Sequence, residues 1–168
     1  MISSARPAVL LLAAALAAAC TSSDDSGTGP VALPAPDPAG ASAAHCRALA
    51  ERLPRTIGVA DDTLARRATK PESAYTAAWG SPAVGLRCGT RRPEVLTPGT
   101  EHYNPGADAA EVDGVDWLLE DTPEGYRFTT VGRETFVEVS VPDDYAPELG
   151  VVAGGISAAV RAAVPSEL

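Results

Sequence analysis

At 168 residues with a formal net charge of −9, from 13 Lys+Arg against 22 Asp+Glu, the chain is too acidic for non-specific binding to nucleic acid or to an anionic membrane surface. With the two ends discounted, about 120 residues remain, enough for one hydrophobic core and too few for two. Only eight residues are aromatic, so the core is expected to be rich in small residues, with Trp79, Trp117, Phe128 and Phe136 as its large pieces. The charge is polarised along the chain: residues 43–92 carry nine basic and four acidic side chains, residues 93–168 three and fifteen. Arginine outnumbers lysine twelve to one, which reads as the coding bias of a GC-rich genome.

The first 19 residues read as an export signal, with Arg6 ahead of the apolar run "PAVLLLAAALAAA", which is short for a membrane span. Ala17, Ala18 and Ala19 before Cys20 resemble the bacterial lipobox, in which a small or aliphatic triplet precedes a cysteine that receives diacylglycerol and becomes the new N-terminus. Ala17 departs from the commoner leucine at the first position of that motif, and Leu16 sits one place earlier. The competing reading is an ordinary signal peptide with Cys20 incidental; the switch from apolar to polar sequence at the one cysteine of the region favours lipidation. Acyl chains, palmitate among them, then hold the protein on the membrane at about 0.8 kcal/mol per buried methylene. Residues 20–42, "CTSSDDSGTGPVALPAPDPAGAS", show no apolar period and are expected to be a tether reaching about 70 Å when extended. Residues 43–168 are then a single globular domain.

Within that domain Cys46, Leu49, Ala50 and Leu53 recur at helical spacing, with Ser42 as N-cap and Pro54 as stop. Two short extended pieces flank Asp61-Asp62, and Val84, Leu86 and Cys88 alternate with Gly85, Arg87 and Gly89 at the period of a half-buried strand. Residues 93–114, rich in Pro and Gly, read as a long loop with an acidic end. "VDWLLE", "YRFTTV" and "ETFVEVSVP" read as three strands, with a turn at Pro123-Glu124-Gly125. Leu149, Val152, Ile156, Ala159, Val160 and Ala163 fall on one helical stripe, through which Gly154 and Gly155 survive if that helix packs closely on a sheet. The expectation is an α+β domain: a mostly antiparallel sheet of four to six strands, flanked by an N-terminal and a C-terminal helix that cover one face.

Cys46 and Cys88 both point from apolar faces toward the same core, so in an oxidising compartment a Cys46–Cys88 disulfide is expected. The alternative is two buried thiols; a thioredoxin-like redox pair is excluded because Cys-x-x-Cys is absent.

"CRALAERLP", "AAWGSPAVGLRCG", "VDGVDWL" and "VGRETFVEVSVP", spread over nearly the whole domain, resemble a family of actinobacterial exported lipoproteins catalogued as domain of unknown function 3515. The resemblance implies location, lineage and one globular domain, and no activity.

Chemistry-bearing residues are sparse. His45 and His102 are the two imidazoles, and no His-Glu-x-x-His or Gly-x-Ser-x-Gly is present. Asp108, Glu111, Asp113 and Asp116 could offer oxygens to a cation, but their spacing fails the EF-hand pattern, so no metal and no cofactor is expected. Arg87, Arg91 and Arg92 form a basic cluster, either paired with the acidic second half of the chain or open to a carboxylate or phosphate. Trp79 is a stacking platform or a core residue. The resulting expectation is a lipoprotein on the extracytoplasmic side of the cell membrane, anchored through Cys20. It would be a binding or assembly module with an envelope protein or a small anionic ligand as partner. An envelope enzyme of hydrolase type working through Asp, Glu or Arg, and a structural partner of a membrane complex, are the alternatives.

Overall fold

The computed structural model describes residues 29–59, 61–145, 149–153 and 155–167; the expected export signal, Cys20 and residues 21–28 lie outside the described residues. In chain order its elements are β1 (Val31–Ala32), α1 (Gly40–Arg52), β2 (Thr56–Val59), β3 (Asp62–Arg67), β4 (Thr69–Lys70), β5 (Thr76–Trp79) and β6 (Val84–Thr90). Then follow β7 (Ala109–Val112), β8 (Val115–Thr122), β9 (Gly125–Val131), β10 (Phe136–Pro142) and α2 (Ile156–Ala163).

Two antiparallel meanders make one sheet. The first runs through β2, β3, β5 and β6, the second through β7, β8, β9 and β10, and they join where β10 pairs with β6, giving the order β2-β3-β5-β6-β10-β9-β8-β7. A separate parallel pair, β1 with β4, lies beside it. The chain is therefore mainly β, which corrects the α+β expectation of four to six strands to an eight-stranded antiparallel sheet with two helices among the described residues. Three local causes account for the difference. The β2–β3 hairpin joins the sheet through Arg66 opposite Trp79. β7 adds a strand at the far edge, inside the stretch expected to be all loop. The C-terminal helix is eight residues long because Gly155 adopts φ +116°, a left-handed conformation that caps α2 and separates it from the short 3-10 turn at Leu149–Val151.

Helix α1 forms for the expected reason, with Cys46 and Leu49 buried on its inner face, but it starts at Gly40, so Ser42 lies within it and Ala39 is the N-cap. Both helices pack against each other and on one face of the sheet. That face supplies the strand residues of the core, including Ile57, Trp79, Leu86, Trp117, Phe128 and Val139, all fully buried. The polar atoms that enter it are matched: Trp79 Nε1 donates to the Pro54 carbonyl at 3.1 Å and Trp117 Nε1 to Ser157 Oγ at 3.0 Å, and Ser157 Oγ donates to the Val152 carbonyl at 2.8 Å. The Cys46–Cys88 disulfide bridges α1 to β6 within this core.

The opposite face is covered by irregular chain. Because β6 lies mid-sheet and β7 at the edge, residues 91–108 must travel across the second meander to connect them. Residues 29–39, expected as part of the tether, cross the same face as a strap. Val31 N donates to the Ala68 carbonyl at 2.8 Å, Leu33 N to the Lys70 carbonyl at 3.1 Å, and Arg67 Nη2 to the Gly29 carbonyl at 2.6 Å. Two glycines of β6 make room for the strap: a Cβ on Gly85 would stand 3.2 Å from Leu33 Cδ1, and one on Gly89 would stand 2.5 Å from Pro38 Cβ. Gly89→Ala is accordingly expected to displace the strap and cost about 1–2 kcal/mol. Amide exchange should then speed up at Val31 and Leu33 with β10 unchanged; equal protection of the strap in both proteins would refute this packing.

Candidate functional site

The covered face of the sheet is built from one cross-strand row. Thr76, Arg87, Glu138, Thr129 and Leu118 are successive partners across β5, β6, β10, β9 and β8, so their side chains stand on one side. The next row places Arg127 opposite both Ser140 and Glu120. Strict alternation puts Trp117, Phe128, Val139 and Cys88 on the other side, so the charges of these strands and the core residues have separate faces.

Between the strap and the 91–108 loop this face holds a half-open cavity of about 730 Å³. Its floor is polar: Arg87, Glu138, Thr129, Arg127 and Glu120. Its apolar walls come from Ala35 and Pro36 of the strap and from Pro93 and Val95 of the loop. Arg87 grips Glu138 with two parallel bonds, Nε to Oε1 at 3.0 Å and Nη2 to Oε2 at 3.1 Å. Arg127 Nε lies 3.4 Å from Glu120 Oε2 but is buried without an aligned hydrogen bond. Two further floor and rim groups are unmatched. Thr129 is only 1 % exposed and its Oγ1 has no hydrogen-bond partner, and the buried Oγ1 of Thr90 has none either. A buried hydroxyl without a partner costs about 1–3 kcal/mol, and here two of them line one cavity.

The cluster of arginines expected from the sequence divides. Arg87 and Arg91 line the cavity, whereas Arg92 donates to the Leu96 carbonyl at 3.0 Å and lies over the Phe136 ring at 5.8 Å. Arg87 is paired with the acidic second half of the chain, as one of the two readings required. Three lining arginines face Asp37, Glu94, Glu120 and Glu138, so the cavity has no positive excess to recommend a small anion. Trp79 is fully buried on the core face, which removes it as a stacking platform. Arg66 lies over its ring at 5.0 Å, and partial burial lowers the pKa of that guanidinium.

His102 lies at the cavity, while His45 is elsewhere, its Nδ1 3.0 Å from Thr135 Oγ1 and its Nε2 3.8 Å from Glu134 Oε2. Among the described residues no group of three or more His, Cys, Asp or Glu is placed to hold a metal ion. Asp113 and Gly114, at φ +53° and +79°, form the two-residue turn of the β7–β8 hairpin, and Glu111 Oε1 accepts the Gly114 N–H at 3.2 Å. Asp-Gly between short apolar runs is a strong hairpin signal, so β7 was available in the sequence and was obscured by reading the segment for its charge.

Glu138, Thr129, Glu120 and Arg127 escaped the sequence reading because each looks like the solvent-facing half of an alternating strand. Only the crossover of residues 91–108 and the docking of the strap turn that half into a cavity floor.

The described residues thus form a mainly β domain with a lined cleft on the second face of its sheet. The chain belongs to the family described as "Protein of unknown function (DUF3515)", whose model matches residues 5–168. No curated protein and no solved structure matches it.

Proposed function

We propose that the protein is a lipid-anchored, extracytoplasmic binding module, held on the membrane through Cys20, that takes up a small polar ligand in the cavity between the strap and the 91–108 loop. One observation carries the binding part of this reading: Thr129 and Thr90, whose hydroxyls are buried and unmatched, line a cleft of about 730 Å³, a volume in the range of small-molecule sites. The anchoring part is supported by the apolar-to-polar switch at Cys20, and export is supported by the Cys46–Cys88 disulfide, since such bridges persist in oxidising compartments. The arginine-for-lysine bias supports an actinobacterial origin.

Cys20→Ser tests the anchor. In cells producing the full chain, the variant is expected to be lost from the membrane fraction or to accumulate unprocessed. Normal processing with full membrane retention would refute lipidation at Cys20. Native mass spectrometry of the full chain extracted from its own membranes tests the cavity: a retained mass that disappears on mild denaturation is expected, and an unliganded chain that also takes up none of the small polar probes named below would refute the binding role.

A further inference from the structure

We infer that the ligand of this cavity is a neutral, polyhydroxylated molecule of the saccharide class; this rests on the binding reading above and specifies its chemistry.

The floor is a mixed field of donors and acceptors. Arg87 spends its Nε and Nη2 on Glu138, which leaves its other guanidinium hydrogens and the remaining carboxylate lone pairs unspent. Thr129, next in the row after Glu138, can both donate and accept, and its hydroxyl has neither kind of partner. Arg127 Nε is an unmatched donor beside the Glu120 carboxylate. Within two adjacent rows the surface therefore offers donor, acceptor, dual group, donor and acceptor, with the charges cancelled in pairs.

Three ligand chemistries can be weighed against this field. A phosphate or carboxylate would find Arg87 and Arg127 already beside Glu138 and Glu120, would have Arg91 alone among the lining arginines to receive it, and would face Asp37 and Glu94 at the rim. An ammonium or a zwitterion would find both floor carboxylates already paired, one of them in a bidentate pair whose carboxylate side chain is 12 % exposed, and would have only Asp37 and Glu94 at the rim to receive it. A hydroxyl group donates and accepts at once, so it uses the leftover valence of both pairs without separating them. The walls agree: a sugar ring has a C–H face as well as a hydroxyl edge, and Pro36, Pro93 and Val95 offer apolar surface above the polar floor.

The test uses the full chain in detergent, with backbone NMR signals followed during titration with maltose, cellobiose, N,N'-diacetylchitobiose, inorganic phosphate and diglycine. The disaccharides, at least one of them, are expected to shift the Thr129 and Thr90 signals saturably at millimolar concentration. Thr129→Val should weaken that binding about fivefold, the size of one hydrogen bond. Because Val has nearly the shape of Thr and removes a hydroxyl that no protein group matches, this variant is expected to melt no lower than the parent, so lost binding is not lost folding. Shifts at Thr129 and Thr90 caused by phosphate or diglycine and not by any disaccharide would overturn the saccharide assignment while leaving the binding module standing. Silence of those signals toward all five probes, in a chain that also carries no retained mass from its membranes, would overturn both. A disaccharide bound equally well by Thr129→Val would overturn the assignment of the row as its floor.

Discussion

Removing the Cys46–Cys88 bridge by Cys46→Ala with Cys88→Ala is expected to lower the unfolding free energy by about 4 kcal/mol, the loop-closure entropy that a bridge across some 43 residues withholds from the unfolded chain. Alanine is the right replacement because both positions are 1 % exposed in an apolar core, where a serine would add an unmatched hydroxyl. The loss falls on a particular junction: α1 meets the sheet chiefly at β6, and the bridge joins those two elements. Urea titration checks it, and the parent chain in reductant should shift in the same direction. A midpoint that stays put in reductant, after mass analysis shows that two further thiols have appeared, would refute the effect.

Arg133→Met is the second large effect, with an expected loss of about 1–3 kcal/mol. Arg133 is 7 % exposed, its Nη1 donates to the Val164 carbonyl at 3.2 Å, and its Nη2 donates to the Gly114 carbonyl in the β7–β8 turn. Val164 is the C-cap of α2, so the guanidinium supplies positive charge where the helix end exposes acceptors, and ties that end to the edge hairpin. Methionine keeps much of the volume and abandons both carbonyls; that of Val164 is buried and costs about 1–3 kcal/mol when left unmatched, whereas that of Gly114 belongs to an exposed turn that water reaches. Glu134 N to the Pro165 carbonyl and Glu167 N to the Gly132 carbonyl, at 3.0 and 2.9 Å, should exchange faster in the variant. A change in denaturation midpoint worth less than 1 kcal/mol would show that the carbonyls find other partners.

Local pattern made α1, the strand of Val84, Leu86 and Cys88, the three later strands and the disulfide legible, because each is written in a period that a single burying face imposes. The sheet as a whole was not, since the β6–β10 pairing that fuses the two meanders joins segments some fifty residues apart in sequence and leaves no local trace. Gly154-Gly155 has the look of a concession inside a helix, whereas the left-handed Gly155 begins a shorter one. The cavity was half visible. Arg87 and Arg91 were marked by their charge, but the carboxylates that cancel them and the hydroxyl of Thr129 became neighbours only through strand register. The strap escaped notice because an extended segment, VALPAPDP, that packs Val31, Leu33, Pro36 and Pro38 toward a sheet has the same composition as a linker.

That strap changes the mechanics of the proposed anchor. A tether from Cys20 to residue 42 would have let the domain range about 70 Å from the bilayer, but with Gly29 fastened the chain between Cys20 and Gly29 could span at most about 30 Å. The ligand cavity would then sit within one domain diameter of the lipid headgroups. Tension on the lipid would be borne first by the short β1–β4 ladder and the Arg67–Gly29 contact, and only through them by Ala35 and Pro36, the wall against which a ligand rests. Pulling on the anchor would therefore be pulling on the cavity.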